Sequence, residues 1–355
     1  MEKMYSPFVK GIFVGLLLLS SCDKDPEQQN NLPTNPGEKT APTPYTLVKP
    51  LGFPDPYLSE KNPMTVEGIA LGKKLYADPI LSENGLSCTS CHSKPRSYSG
   101  GVYHALNGYN MAIMAHVNLA FKPVFNWEGS APDLDLLPLG DFEPEFFNTD
   151  HQKLVTRLLS HPEYPAMFKA AFSINHIDSL TFLELKTKIA YSIVQYLRSR
   201  VSANSRYDAY RVYKKKLSAE EMNGMAIFFS EKGDCFHCHP GPLFTDNGFH
   251  NNGLNDVFTG FDQGKFLVTG QQKDMGLFIA PTLRNIELTS PYMHDGRFTT
   301  LEEVVEFYTS AVKTSPTLDP IMTKRMTNRT MQLSETEKKE LIAFLKTLTD
   351  PSFVE

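Results

Sequence analysis

Cysteine and tryptophan are scarce in this chain, with five and one respectively among 355 residues. Basic residues are not in excess either. Lys and Arg total 35 against 40 Asp and Glu, and the net charge of −5 argues against a nucleic-acid binder working through a basic surface. Long apolar runs are missing except for one near the N-terminus, and mean hydropathy is −0.29, which excludes a polytopic membrane protein. Hydrophobic residues make up 41% and charged residues 21%, enough for a sizeable core and against wholesale disorder. Length alone suggests about two domains at ~150 residues each. The cysteines carry the information: an odd number, at positions 22, 88, 91, 235 and 238.

The apolar run covers residues 11–19, follows Lys3 and Lys10, and ends in Ser20-Ser21-Cys22. A core of about ten residues is too short for the ~20 of a spanning helix and fits a secretory signal peptide. Leu19-Ser20-Ser21-Cys22 also resembles the lipobox of bacterial lipoproteins, in which the Cys becomes the lipidated first residue; an ordinary signal peptide with an incidental Cys22 is the alternative. Residues 23–43 are polar and Pro-rich with almost no apolar side chains. Residues 1–21 are therefore expected to be a signal peptide and 22–44 a disordered tether. The expected product is an exported lipoprotein of a Gram-negative-type bacterium, facing the periplasm or the cell surface and held to the membrane only by its lipid.

The other four cysteines form Cys88-Thr89-Ser90-Cys91-His92 and Cys235-Phe236-His237-Cys238-His239, two copies of the C-x-x-C-H pattern of c-type haem attachment. Two thiols one turn apart can add across the two vinyl groups of one haem, and the adjacent His is delivered to the iron. With 5 Cys and 10 His, chance would supply roughly 0.002 such pentads per chain. Zinc sites of the C-x-x-C type keep their halves about 15–20 residues apart, far closer than positions 88 and 235. A thioredoxin-like dithiol needs a β-α-β context that neither motif has. A disulfide inside C-x-x-C would close too small a loop to stabilise much. Two covalent haems are expected, with His92 and His239 as iron ligands.

Helical periodicity dominates the remainder, and no period-2 run is long enough for a substantial sheet. Residues 65–76 carry apolar side chains at helical spacing, and Ser218 with Glu221 forms a capping box opening a helix over 222–229, with Gly233 as its stop. Gly68-Ile69-Ala70-Leu71 echoes Gly224-Met225-Ala226-Ile227, a weak internal duplication. Helices are also expected over 151–159, 182–197 and 335–348, the last opened by Ser334 with Glu337. The polar, basic stretch 198–216 reads as an interdomain linker. The fold class is all-α: two cytochrome-c-like helical domains, 45–200 and 201–355, each around one haem with long loops.

The two haem motifs, together with Pro281-Thr282-Leu283-Arg284-Asn285-Ile286-Glu287-Leu288-Thr289-Ser290-Pro291-Tyr292-Met293-His294-Asp295-Gly296-Arg297-Phe298, closely resemble the bacterial dihaem cytochrome c peroxidase family, including its MauG branch. The resemblance spans roughly residues 50–350. It implies that the haem on Cys88, Cys91 and His92 meets hydrogen peroxide and that the haem on Cys235, Cys238 and His239 transfers electrons. A small cytochrome or cupredoxin is implied as electron donor, and a homodimer is admitted. A MauG-like oxidase using high-valent iron on a protein or organic substrate is the alternative activity, and a non-enzymatic dihaem electron carrier is a third.

The resemblance also points to individual residues. Classical members place a Met about fourteen residues after the His of P-Y-x-H, whereas this chain, like the MauG branch, has Tyr308 there. Leu301, Val304, Val305 and Tyr308 share one helical face, so Tyr308 is expected to point inward; the resemblance implies that it is a metal ligand, with a packed core tyrosine, or Met293, Met322, Met326 or Met331 as ligand, the alternatives. Trp127, in Asn126-Trp127-Glu128-Gly129, resembles the family's W-D-G tryptophan between the haems, but Ser130 and Leu137 replace the usual Arg and Gln. Glu145 is the expected acid–base residue at the peroxide pocket, with Glu143 as the alternative. The distal position of the first haem is open or filled by His104 or His116. A structural Ca²⁺ is implied too, with the carbonyls of Thr289 and Pro291 as candidate ligands and Asn110 near the family's Asn position.

Overall fold

The computed structural model describes residues 41–104, 109–323 and 331–354. The expected signal peptide, Cys22 with its expected lipid, and Met326 lie outside them. All of the described residues fall within one compact unit, Thr40–Glu355. No helix among them is long and apolar enough to cross a membrane.

The elements are α1 (Val66–Ala77), α2 (Cys88–Cys91), β1 (Val102–His104), β2 (Asn110–Ala112), α3 (His151–Ser160), α4 (Tyr164–Phe172), α5 (Phe182–Ser199), α6 (Arg206–Tyr213), α7 (Ala219–Phe228), β3 (Phe249–His250), β4 (Phe278–Ile279), α8 (Phe266–Thr269), α9 (Leu301–Glu306), α10 (Glu335–Lys346) and α11 (Pro351–Val354). Among the described residues, sheet is confined to two antiparallel pairs, with Val102 opposite Ala112 and Phe249 opposite Ile279. The starts of the long helices are written in the sequence. Thr181, Ser205, Ser218, Thr300 and Ser334 each cap a first turn while an acidic residue three positions on bonds back. Each such cap stabilises its helix by ~1 kcal/mol.

The two largest apolar cores among the described residues follow the chain. The first is built from α1, α3, α4 and α5 (Leu71, Leu75, Leu158, Phe168, Ile189) and takes in Phe353 from α11. The second gathers Tyr207, Phe228, Phe244, Leu341, Phe344 and Leu348 from α6, α7, α10 and the loops between them. A glycine sets the main helix crossing in each. A Cβ on Gly72 would lie 1.8 Å from the Ser192 carbonyl oxygen, and one on Gly224 would lie 1.8 Å from that of Glu340. Both halves thus place a glycine at the helix crossing, and in the first half it is Gly72 on α1, one turn beyond Gly68.

The stretch 198–216 differs from the linker its polarity suggested. It contains α6, and Arg198 and Asp208 are buried in ion pairs: Arg198 with Asp135 at 2.6 Å, and Asp208 with Arg284 at 2.7 Å. These two charges are paired with partners 63 and 76 residues away in sequence, a pairing local polarity cannot reveal. The start of the described chain is tied down as well. The Thr43 N–H and hydroxyl donate to Glu67, and Pro44 bridges to Thr65.

Candidate functional site

The two C-x-x-C-H segments adopt one local geometry. In the first, α2 holds Cys88–Cys91 and the His92 N–H donates to the Cys88 carbonyl at 2.8 Å. In the second, a tight turn at Cys235–His237 brings the His239 N–H to the Cys235 carbonyl at 2.9 Å. None of the four thiols is in a disulfide. Each imidazole is held from behind: His92 Nδ1 lies 3.0 Å from the Tyr98 carbonyl and His239 Nδ1 3.0 Å from the Phe244 carbonyl. A proton kept on Nδ1 by a carbonyl makes Nε2 the lone-pair nitrogen that a metal requires. Burial pushes His92 down to about 4, against the opposing effect of the Tyr98 and Met114 carbonyls, and lowers His239 in the same way. Both are neutral at neutral pH, as ligands must be.

Around His92 the wall is aromatic. His116 stacks on it with ring centroids 3.6 Å apart and planes 19° from parallel, and the Tyr76 hydroxyl lies 3.0 Å from His116 Nδ1. Two rings on opposite sides of one metal, each at ~2 Å, would stand much farther apart. His116 therefore backs His92 and does not face it across an iron. His104 is exposed on β1, its Nδ1 2.7 Å from Asn110 Oδ1. The carboxylates raised for the peroxide pocket are also displaced. Glu145 and Glu143 are both exposed, and Glu143 lies 3.7 Å from Lys186. The carboxylate near this haem motif is Asp141, close enough to raise the thiols of Cys88 and Cys91 and the phenol of Tyr76. Burial pushes Asp141 itself up to about 7.

The second motif opens into a cavity of about 300 Å³ whose wall includes Cys235, Cys238, His239, Trp127, Met293 and Tyr308. α9 ends at Glu306 and the chain widens into a π-helical turn over Phe307–Ala311, which carries Tyr308 to the cavity. Such turns recur at functional sites. Asn252 Nδ2 donates to the Tyr308 hydroxyl at 3.1 Å and lies 3.6 Å from Met293 Sδ. Burial pushes the phenol up to about 12. Met322 and Met331 also line the cavity. His250 sits on the wall between Asp319 at 2.7 Å and Asp246 at 2.9 Å, and its bond to Asp319 is the main cause of a rise to about 11. Thr289 and Pro291 reach the same cavity.

Trp127 lies on the wall of the second cavity. Its ring lines the second cavity while its Nε1–H donates to the Ala112 carbonyl at 2.8 Å, at the head of the segment running to His116. The Ile279 N–H closes the other side on the Trp127 carbonyl at 2.9 Å. The 281–298 segment is the brace around this junction. Arg284 grips Asp208 with two bonds of 2.7 and 2.8 Å, and fully buried Asn285 donates to Ser97 at 2.7 Å and accepts from the Asp350 N–H at 2.8 Å.

Residues 66–217 match the family described as di-haem cytochrome c peroxidase. Over 313 residues the chain is 30% identical to the methylamine utilization protein MauG of Methylorubrum extorquens, covering 84% of this chain and 82% of that one. It is 31% identical over 300 residues to the cytochrome c551 peroxidase of Nitrosomonas europaea, covering 81% of each. The chain belongs to the di-haem cytochrome c peroxidase and MauG family. Its fold agrees: a crystal structure of a MauG-like protein associated with microbial copper homeostasis superposes with a TM-score of 0.77 at 30% identity, covering 88% of this chain and 97% of that one. Family membership implies two c-type haems, and the residues present fit them. Both thiol pairs are free and one turn apart, both histidines are neutral with Nδ1 engaged, and the second pair faces a largely apolar cavity.

Sequence reasoning missed Asp141, Asn252 and His250. Asp246 and His250, four apart, were a weak local signal for one of them. Nothing local marks Asp141, because its burial is imposed by packing against elements more than forty residues away in the chain.

Proposed function

We propose that this protein reduces hydrogen peroxide to water at the site of Cys88, Cys91 and His92, drawing two electrons from a small cytochrome or cupredoxin through the site of Cys235, Cys238 and His239. The observation that carries this reading is the asymmetry between two otherwise matched sites: a half-buried carboxyl, Asp141, pushed up to about 7 beside the first, and a half-buried tyrosine, Tyr308, in the cavity of the second. A c-type haem supplies an iron that binds peroxide or passes single electrons. His92 and His239 hold the irons, and the cysteines fix the porphyrins. Asp141 takes the role expected of Glu145, accepting a proton from incoming peroxide and returning it to the departing oxygen, for which a pKa near the working pH suits it. Trp127 carries electrons between the sites, its indole proton held by the Ala112 carbonyl. Tyr308 is the second ligand of the second iron, with Asn252 holding its hydroxyl in place. Each half of the chain serves one haem, and the place of work is outside the cytoplasm.

Steady-state peroxide consumption by the holoprotein with a chemical donor tests this. The rate is expected to rise with pH through about 7 as Asp141 becomes the free base. Asp141→Asn should lose that limb and about 10²–10⁴-fold in rate, without losing stability, since a carboxyl raised by burial destabilises the fold as it ionises. A wild type that consumes no peroxide contradicts the proposal.

Tyr308 favours a second reading, a MauG-like oxidation of a protein or organic substrate, because a phenolate stabilises higher iron oxidation states where a thioether stabilises the ferrous state. Tyr308→Met is expected to change the spectrum of the second haem and raise its potential. An unchanged spectrum would remove Tyr308 from the ligand set.

A further inference from the structure

One charge in the second cavity has no counter-charge. Lys122 lines the wall shared with Cys235, Cys238 and His239. Its ammonium is buried enough to be pushed down to about 8, with desolvation the sole cause and no carboxylate of the described residues drawing it back. Its ring neighbour is Phe125, whose centroid lies 5.8 Å away. The other cations on that wall are matched. Lys232 pairs with Glu337, and His250 lies between Asp246 and Asp319. Among the described residues its charge is felt by His116, whose imidazole burial keeps well below its ordinary value and therefore neutral. An isolated cation in such a place is costly unless something pairs with it.

Haem brings what this cation lacks. Its faces are apolar and suit the wall formed by Phe121, Leu243, Ile279 and Leu283, but one edge carries two propionates. Lys122 is five residues from Trp127, on the side of the cavity formed by the first half of the chain. We propose that Lys122 is the ion-pair partner of a propionate on the haem attached at Cys235 and Cys238, and so holds that haem's potential up. The inference rests on the haem attachment argued above. A charge-assisted N–H···O bond forms between ammonium and carboxylate. Without it the propionate is left uncompensated beside the iron, where its negative charge favours the ferric over the ferrous state.

The test is a spectroelectrochemical titration of wild type, Lys122→Met, Lys122→Gln and Lys122→Arg holoproteins, each first measured for haem content. Met and Gln variants are expected to lower the potential of the haem on His239, raising its oxidised-to-reduced ratio about tenfold at the wild-type midpoint, or about 59 mV for a one-electron couple. The Arg variant should stay near wild type, because it keeps the charge. Wild-type potentials in both neutral variants, or an Arg variant shifted as far as Met, would overturn the pairing, as would a shift confined to the haem on His92. A wild type with a single covalent haem would instead defeat the attachment reading and leave Lys122 without its partner.

Discussion

Replacing Cys88 and Cys91 together by Ser is expected to cut covalent haem from two per chain to one and to abolish peroxide turnover. The spectrum of the haem on His239 should be preserved. The expectation follows from how the sites are built. Cys88 and Cys91 lie on one turn of α2, with Cys88 packed against the first core, while Cys235 belongs to the periphery of the second. Each thiol pair can serve only its own porphyrin. His92 is carried by the turn that its N–H closes onto Cys88, so a haem lacking both thioether bonds would also lack the anchoring that presents it to this imidazole. The matching Cys235→Ser, Cys238→Ser variant should lose the other haem and keep peroxide binding at the first. Haem content by pyridine haemochrome absorbance and intact mass checks both variants. Two haems surviving in either would show that these cysteines are not the attachment points.

The second large effect concerns stability. Asp208→Ala is expected to destabilise the fold by roughly 3–5 kcal/mol, as breaking a buried ion pair leaves one charge uncompensated. Arg284 is fully buried, and both of its terminal nitrogens are committed to Asp208, while its Nε–H donates to the Pro242 carbonyl at 2.7 Å. Asp208 also closes the cap of α6 through Ser205. The fall in melting temperature should be on the order of 10 °C in calorimetry at pH 7. Burial raises the Asp208 carboxyl, but the bonds and charge of Arg284 outweigh it, and the net shift is downward. Stability from a lowered carboxyl is present above its ordinary value near 3.9 and is lost as pH falls through the folded value. The difference between wild type and Asp208→Ala should therefore shrink below about pH 4. Replacing both partners, as Asp208→Leu with Arg284→Met, should recover much of the loss. A single variant that loses less than about 1 kcal/mol would mean the pair is not the brace its geometry describes.

What the sequence revealed and what it concealed divide along local and distant interactions. The haem motifs are contiguous pentads, so thiol spacing and the adjacent ligand are readable directly. Helix starts are equally local, since a Ser or Thr and an acid three residues on make a cap regardless of the rest of the chain. The inward face of Leu301, Val304, Val305 and Tyr308 was legible for the same reason, although the widened turn after Glu306 was not. Asp141 lay hidden because a carboxylate in a loop reads as solvated until Cys88 and Tyr76 are packed around it. Motif spacing favours Glu145, but the turn over residues 137–142 half-buries Asp141 and leaves Glu145 in solvent. The stretch 198–216 misled similarly: its charges are those of a linker, yet Arg198 and Asp208 are neutralised by residues far away in sequence. Gly72 was overlooked in favour of Gly68 because tetrapeptide similarity does not indicate which turn meets the opposing backbone.

The most direct measurement is a spectroscopic peroxide titration of the purified holoprotein in its diferric and half-reduced states. The predicted result is two haems per chain, with peroxide perturbing the haem on His92 and the response disappearing in the Cys88→Ser, Cys91→Ser variant. Two haems that both remain fully ligated and inert to peroxide in both states would contradict peroxide reduction at this site and leave an electron carrier in its place.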